Sequence, residues 1–289
     1  GNPTKWLQGH NVFGGFCSPP ALMDALIERL SEVVPDIQPN DFDRHKIQDG
    51  RFKLLRVDVT RMYELDSRVA VRAWLRSAER SAYMKHRGRG TLTKNGTLYF
   101  GKHSRRWSLK FYAKGDELEG GKGHSLPDGL ACADQLGAWA SNKLRCELVL
   151  RSMELKRHGL EWGMNWSDTT AAELMNGIVL GLQMSDKLTL PASALEGLPP
   201  RLRAFYEAWV NGVDLREILP KNTFYRYRRQ LLPLGVDLAV RQPCEDRSNV
   251  VPLIRILEAI PVGPPEWAKG TSLLAEPGRV IWLDRKKQS

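Results

Sequence analysis

Between Leu54 and Arg151 the chain alternates apolar and polar residues with a period of two in several short runs, and from Ser167 onward its apolar spacing becomes helical. A period of two sends alternate side chains to opposite faces of a strand, whereas a period of 3.6 collects them on one stripe of a helix. The first half is therefore expected to build a sheet with one apolar face, and the second to build helices. This predicts an α+β unit with a central antiparallel sheet over residues 1–166, followed by a mostly helical unit over residues 167–289. With 289 residues the chain is long enough to give each unit its own core.

In Leu54–Thr60, alternation puts Leu55, Val57 and Val59 on an apolar face and Arg56, Asp58 and Thr60 on the other. Gly96–Gly101 and Trp107–Tyr112 read as two strands joined by the basic loop Lys102, His103, Ser104, Arg105 and Arg106. In the second of these, Trp107, Leu109 and Phe111 are the buried set; Ser108, Lys110 and Tyr112 share the opposite face, with Lys114 next in phase. Leu144–Arg151 buries Leu144, Cys146, Leu148 and Leu150 and shows Arg145, Glu147 and Arg151 on its other side. Helices are expected over Pro20–Val34, with Leu22, Leu26, Ile27, Leu30 and Val33 as its stripe, and over Ser67–Met84, with Val71, Trp74, Leu75 and Ala78 opposite four arginines. Gly115–Pro127, rich in glycine and charge, reads as a loop.

In the second half, Arg201–Val210, Asp214–Leu219 and Asn222–Leu232 form three helices separated by a Gly212 turn and by Pro220-Lys221, the layout of a helix-turn-helix. The last, NTFYRYRRQLL, projects Tyr225, Arg226, Arg228 and Arg229. These reach DNA if the helix enters a groove; the same face is otherwise simply solvated.

Lys and Arg number 43 against 33 Asp and Glu, a formal net charge of +10, which favours a polyanionic partner. A basic enzyme, a ribosomal protein and a DNA-binding protein all fit that charge. Cys17, Cys132, Cys146 and Cys244 have no spacing for a zinc site or a disulfide framework, and reduced thiols in a cytoplasm suit them best. No apolar stretch approaches the ~20 residues that span a bilayer. The N-terminus, GNPTKWLQGH, lacks the layout of a secretory signal and suggests a start further upstream.

Asp58, Glu147 and Tyr112 each lie on the polar face of a different strand, so a shared sheet would gather two carboxylates and a phenol on one surface. Carboxylate oxygens suit Mg²⁺ or Mn²⁺, and Lys110, Lys114 and a metal would favour the phenolate needed for attack on phosphorus. Equally, Asp58 and Glu147 can serve as ion-pair partners of Arg56 and Arg145 on a solvated face. In WLQGHNVFG, Gln8 and His10 share a side if the segment is extended, giving two further candidate ligands; His10 also fits a plain turn.

The segments KWLQGHNVFG, RVDVT, GTLYFGKHSRRWSLKFYAKGDEL, LRCELVLRSMELK, LPKNTFYRYRRQL and NVVPLIRI resemble, in order and style, the gene II replication initiators of filamentous bacteriophages. The likeness spans about Lys5 to Gly159 and Pro220 to Trp267. The hairpin also resembles that of plasmid rolling-circle initiators, whose tyrosine is the nucleophile. The resemblance implies a nuclease related to the two-histidine (HUH) type, with Tyr112 as nucleophile and Asp58, Glu147, His10 and Gln8 as ligands of Mg²⁺ or Mn²⁺. Only a Gln-Gly-His arrangement is present where that type has two histidines. Members also carry a substantial segment ahead of the LQGHN motif, so a strand of their sheet is expected to be absent. The implied activity is nicking of a double-strand origin, leaving a 5′-phosphotyrosine and a free 3′-OH, with later rejoining. Implied partners are DNA and the bacterial host's helicase and polymerase, in the host cytoplasm. The alternative is a non-catalytic DNA-binding replication regulator corresponding to the C-terminal part of such an initiator. An RNA-binding or ribosomal reading rests on charge alone.

Overall fold

The structure, a computed structural model, describes residues 2–15, 18–84, 87–120, 125–184, 195–234, 236, 238–239 and 261–276. The NVVPLIRI segment at 249–256 lies outside the described residues. In chain order the elements are α1 (Pro3–Gln8), α2 (Pro19–Val33), α3 (Asp41–Gln48), β1 (Arg56–Glu64), α4 (Arg68–Ser81), β2 (Ala82–Met84), β3 (Gly88–Arg89), β4 (Thr91–Leu92), β5 (Leu98–Phe100), β6 (Trp107–Ala113), α5 (Lys114–Glu119), α6 (Ala133–Ala140), β7 (Lys143–Arg151) and α7 (Ser152–Arg157). They continue with α8 (Thr170–Leu180), β8 (Leu182–Met184), α9 (Pro200–Val210), α10 (Leu215–Ile218) and α11 (Lys221–Leu231).

The central sheet has five antiparallel strands in the order β1-β7-β6-β5-β4, and a smaller sheet runs β3-β2-β8. Register follows the apolar alternation. Val59, Tyr63, Leu109, Phe111, Leu144, Cys146, Leu148 and Leu150 point to one face, where they meet Val71, Trp74, Leu75 and Ala78 of α4 and Met175 and Val179 of α8. Helix α4 can lie on the sheet because its apolar residues recur at helical spacing and Ser67 caps its start by accepting from the Ala70 N–H.

Three local expectations are corrected. Leu55 is 73% exposed rather than on the apolar face, because Lys53 and Leu54 pair with the 161–162 segment and β1 begins only at Arg56; Tyr63 completes the apolar row instead. The first part of Gly115–Pro127 is helical, since α5 starts directly where β6 ends. Val33 at the end of α2 is 52% exposed; of that helix only Ala25 is buried, against Leu7 and Ala275. In the second half, Leu202, Tyr206, Trp209, Leu215, Phe224, Tyr227 and Leu231 form a separate core between α9, α10 and α11. Helix α8, although helical like the rest of that half, packs on the sheet.

Phe111 is fully buried between Trp74, at 5.2 Å between ring centroids, and Phe100, at 6.2 Å. Phe111→Ala is therefore expected to cost about 3–5 kcal/mol of stability, read as a lowered urea midpoint in circular dichroism.

Candidate active site

The opposite face of the sheet carries polar side chains that the strand register places in rows. Asp58 lies opposite Val149, which lies opposite Ser108; Thr60 lies opposite Glu147, which lies opposite Lys110; Met62 lies opposite Arg145, which lies opposite Tyr112. The sheet thus brings Glu147, Lys110, Arg145 and Tyr112 together, as alternation predicts. It is not a solvated face, however, since Tyr112, Arg145 and Glu147 are all less than 10% exposed. The N-terminal segment is laid across it: the Arg145 guanidinium donates to the Asn11 carbonyl at 2.5 Å, and Lys114 Nζ donates to Asn11 Oδ1 at 3.0 Å.

Glu147 is the hub. Its Oε1 accepts from the Tyr112 hydroxyl at 2.5 Å and lies 2.9 Å from Arg145 Nε, while its Oε2 lies 2.5 Å from Lys110 Nζ. Burial alone would raise this carboxyl, but the Arg145 and Lys110 charges overcome it and hold the pKa down at about 2. Burial pushes the Tyr112 phenol well above its ordinary value, and the adjacent Glu147 charge adds to this against the pull of Arg145. The expectation that nearby lysines favour a phenolate is corrected: burial keeps the proton on the phenol, which donates it to Glu147 as a hydrogen bond. Lys114 is fully buried at the start of α5, paired with Glu117, and burial with the Arg145 charge lowers it to about 8.

The four nominated metal ligands do not form a ligand set in this arrangement. Both Asp58 oxygens accept from the Arg56 guanidinium at 2.7 Å. Both His10 ring nitrogens are used: Nδ1 accepts from the Val12 N–H at 3.1 Å, and Nε2 lies 2.9 Å from the Leu273 carbonyl, to which it donates. Gln8 accepts from the Ala275 N–H at 3.0 Å and donates to the His10 carbonyl at 3.5 Å. Glu147 is surrounded by cations. Among the described residues no group of three or more His, Cys, Asp or Glu is disposed to hold a metal. The donor set present therefore does not fit the Mg²⁺ or Mn²⁺ that the resemblance implies.

The basic loop is at the other end of β6 from Tyr112, five residues and ~17 Å along the strand. Within it Lys102, His103 and Arg105 are exposed, but Arg106 pairs with the buried Glu154 at 2.7 Å. On α11, Tyr225, Arg226 and Arg229 are exposed, whereas Arg228 is half-buried and lines a cavity of about 660 Å³ with Tyr225, Arg87, Arg89 and Arg216. Asn11 and Glu117 are the site residues that sequence reasoning passed over; Arg145 was expected as the ion-pair partner of Glu147, as Arg56 was of Asp58, and both pairs are present. Arg145 was legible, being in phase with Glu147; Asn11 joins the site through tertiary packing that no local pattern announces.

His10 is buried and its pKa is lowered to about 4 by that burial. The unfolded chain takes up a proton near pH 6.5 that the folded chain refuses until about pH 4, so this contribution to stability is full above 6.5 and is lost as pH falls towards 4. His10→Gln is expected to flatten the pH dependence of unfolding between pH 7 and 4, measured by denaturant titration; an unchanged slope would show that His10 titrates normally.

The chain matches the family model for the N-terminal part of the gene II replication-associated protein over residues 1–169, and the model for the C-terminal part of the same protein over residues 198–274. It is 40% identical over 266 residues to the replication-associated protein of this type from Enterobacteria phage I2-2, an alignment covering 92% of this chain and 76% of that protein. No solved structure matches it. No helix among the described residues is long and apolar enough to cross a membrane. Two consecutive family matches and a relative this similar along nearly the whole chain place the protein in the gene II replication-associated protein family.

Proposed function

We propose that this protein initiates phage DNA replication by nicking one strand at a double-strand origin, with the Tyr112 oxygen as nucleophile. The observation that carries the reading is the Tyr112 hydroxyl donating at 2.5 Å to an ionised Glu147 beside Lys110 and Arg145. A nucleophile, a proton acceptor and two cations are what attack on a phosphodiester requires.

In the proposed step the phenol oxygen attacks phosphorus as its proton passes to Glu147. The bond from phosphorus to the 3′ oxygen breaks, that oxygen takes a proton from solvent to leave as the 3′-OH, Glu147 returns its proton to solvent, and the 5′ side remains as a phosphotyrosine. The product ester keeps the phosphodiester's energy for later rejoining. Glu147 at a pKa of about 2 is a weak base while Lys110 and Arg145 hold it. A phosphate drawn to those same cations competes with the carboxylate for them, so its arrival raises the basicity of Glu147. Lys110, half-exposed, is on the side from which DNA can approach. No step runs through Mg²⁺ or Mn²⁺, because the side chains nominated for the ion are committed elsewhere. Origin recognition falls to α11 and the loop at Lys102, His103 and Arg105, whose exposed cations can meet phosphate.

Tyr112→Phe is expected to abolish both nicking of origin-bearing supercoiled plasmid and the covalent protein–DNA adduct, with origin binding nearly unchanged. A variant that still forms the adduct would move the role to Tyr99, which lies opposite Lys110 on β5. A wild-type protein that binds the origin and never nicks would instead fit a replication regulator. Glu147→Gln keeps the shape and removes the base, and a loss of about 10²–10⁴ in rate is expected from single-turnover nicking. Replacing Arg226 and Arg229 together with Ala is expected to weaken duplex-origin binding and to flatten its salt dependence by about two units of slope. Cleavage of a single-stranded oligonucleotide should survive in that double variant; an unchanged salt slope would assign α11 to packing or to a protein partner.

A further inference from the structure

Beyond the end of the Tyr112 row, the same region of the sheet opens into a cleft of about 620 Å³ that the nicking step does not use. Its walls include Glu64, Asp66, Arg68, Trp139, Lys143 and Trp267. Lys143 is two residues from Arg145 on the same face of β7, ~7 Å along the strand, and Arg145 lies opposite Tyr112. A phosphodiester held at Tyr112 therefore has its neighbouring nucleotide within reach of this cleft.

The chemistry of the walls says which part of a nucleotide fits. Two carboxylates and two cations line it, and the cations are already answered: Lys143 Nζ donates to Glu64 at 3.0 Å, and Arg68 pairs bidentately with Glu119 at 2.7 Å. A cleft with no surplus positive charge is a poor phosphate site. Its apolar surface is aromatic instead. Trp139 and Trp267 are both half-buried, and Phe13, fully buried between them, packs against each: 5.3 Å and 86° to Trp139, 6.1 Å and 70° to Trp267. Holding both indoles through one locked ring removes the entropy that a free tryptophan would lose on binding. The Lys143 ammonium lies 4.8 Å over the Trp139 ring, so a base stacking on that face takes its place; aromatic walls with hydrogen-bonding groups at the rim suit a nucleobase, which has apolar faces and a polar edge. Only an unpaired base can enter.

We infer that the cleft binds one unpaired nucleobase of the nicked strand, next to the scissile phosphate, stacked on Trp139 and Trp267. The inference rests on the nicking reading for the strand's delivery, but it can be tested without cleavage. The probe is a fluorescein-labelled oligothymidylate, titrated by anisotropy with Tyr112→Phe protein so that no adduct forms. Trp139→Ala and Trp267→Ala are each expected to raise Kd by about 5- to 150-fold, the range for losing one base–aromatic stack. Trp139→Phe keeps a stacking face and is expected to stay within about threefold. Thermal melts of each variant exclude unfolding. Unchanged affinity in both alanine variants would overturn the inference, as would equal losses in Trp139→Phe and Trp139→Ala, which mark a packing role. Tryptophan-dependent binding by a wild-type chain that never nicks would sink the nicking reading and leave the base site standing.

Discussion

The ionised carboxylate of Glu147 is the charge around which the polar sheet face is organised. It is buried, and an isolated carboxylate there would take up a proton rather than stay charged. Arg145 and Lys110 keep it ionised through their charges, and the Tyr112 hydroxyl donates a hydrogen bond to it. Each partner depends on the others in turn. Removing the carboxylate leaves a buried guanidinium facing the nearly buried phenol and the Lys114 ammonium, an imbalance of the kind that costs several kcal/mol when one partner of a buried pair is lost. The Arg145 guanidinium is also what the N-terminal segment docks on, through the Asn11 carbonyl. The hub therefore links the catalytic candidates to the placement of a segment more than a hundred residues away in sequence.

That linkage explains the division between what the sequence shows and what it hides. Alternation in Trp107–Tyr112 and Leu144–Arg151 was enough to put Tyr112, Lys110 and Glu147 on one face, because a strand's period is two and its apolar residues fix the phase. Which of these residues react is only what the resemblance implies. Neither reveals what covers the face. A polar residue in phase with the solvent side reads as exposed, and only tertiary contacts with Asn11 and Val12 turn it into a buried network. Gln8 and His10 show the same limit from the other direction. Their types suit a metal, but their partners are backbone groups of Leu273 and Ala275, contacts more than two hundred and sixty residues distant that no spacing rule anticipates.

The two halves of the chain differ in what their patterns could reveal. The spacing of Leu202, Tyr206 and Trp209, and of Phe224, Tyr227 and Leu231, locates helices that pack on one another, and it leaves Tyr225, Arg226 and Arg229 outward. Helix α8 has the same kind of spacing, yet buries Met175 and Val179 against the sheet. Periodicity reports that a face is buried and is silent on its partner, so a change of period does not by itself divide the chain into packing units.

A buried tyrosine of raised pKa looks like a poor nucleophile until the ground state and the reacting state are separated. In the resting protein burial raises the Tyr112 phenol, while the Arg145 and Lys110 charges hold Glu147 down. In the proposed nicking step, a phosphodiester would change the balance by bringing its own negative charge to Lys110 and Arg145. Those cations would then serve the phosphate, the carboxylate would regain basicity, and proton transfer from Tyr112 would become favourable as the proposed bond forms. On this view the high pKa of the resting phenol is compatible with catalysis, because the charges that suppress reactivity without DNA are the same ones that stabilise the transition state with it.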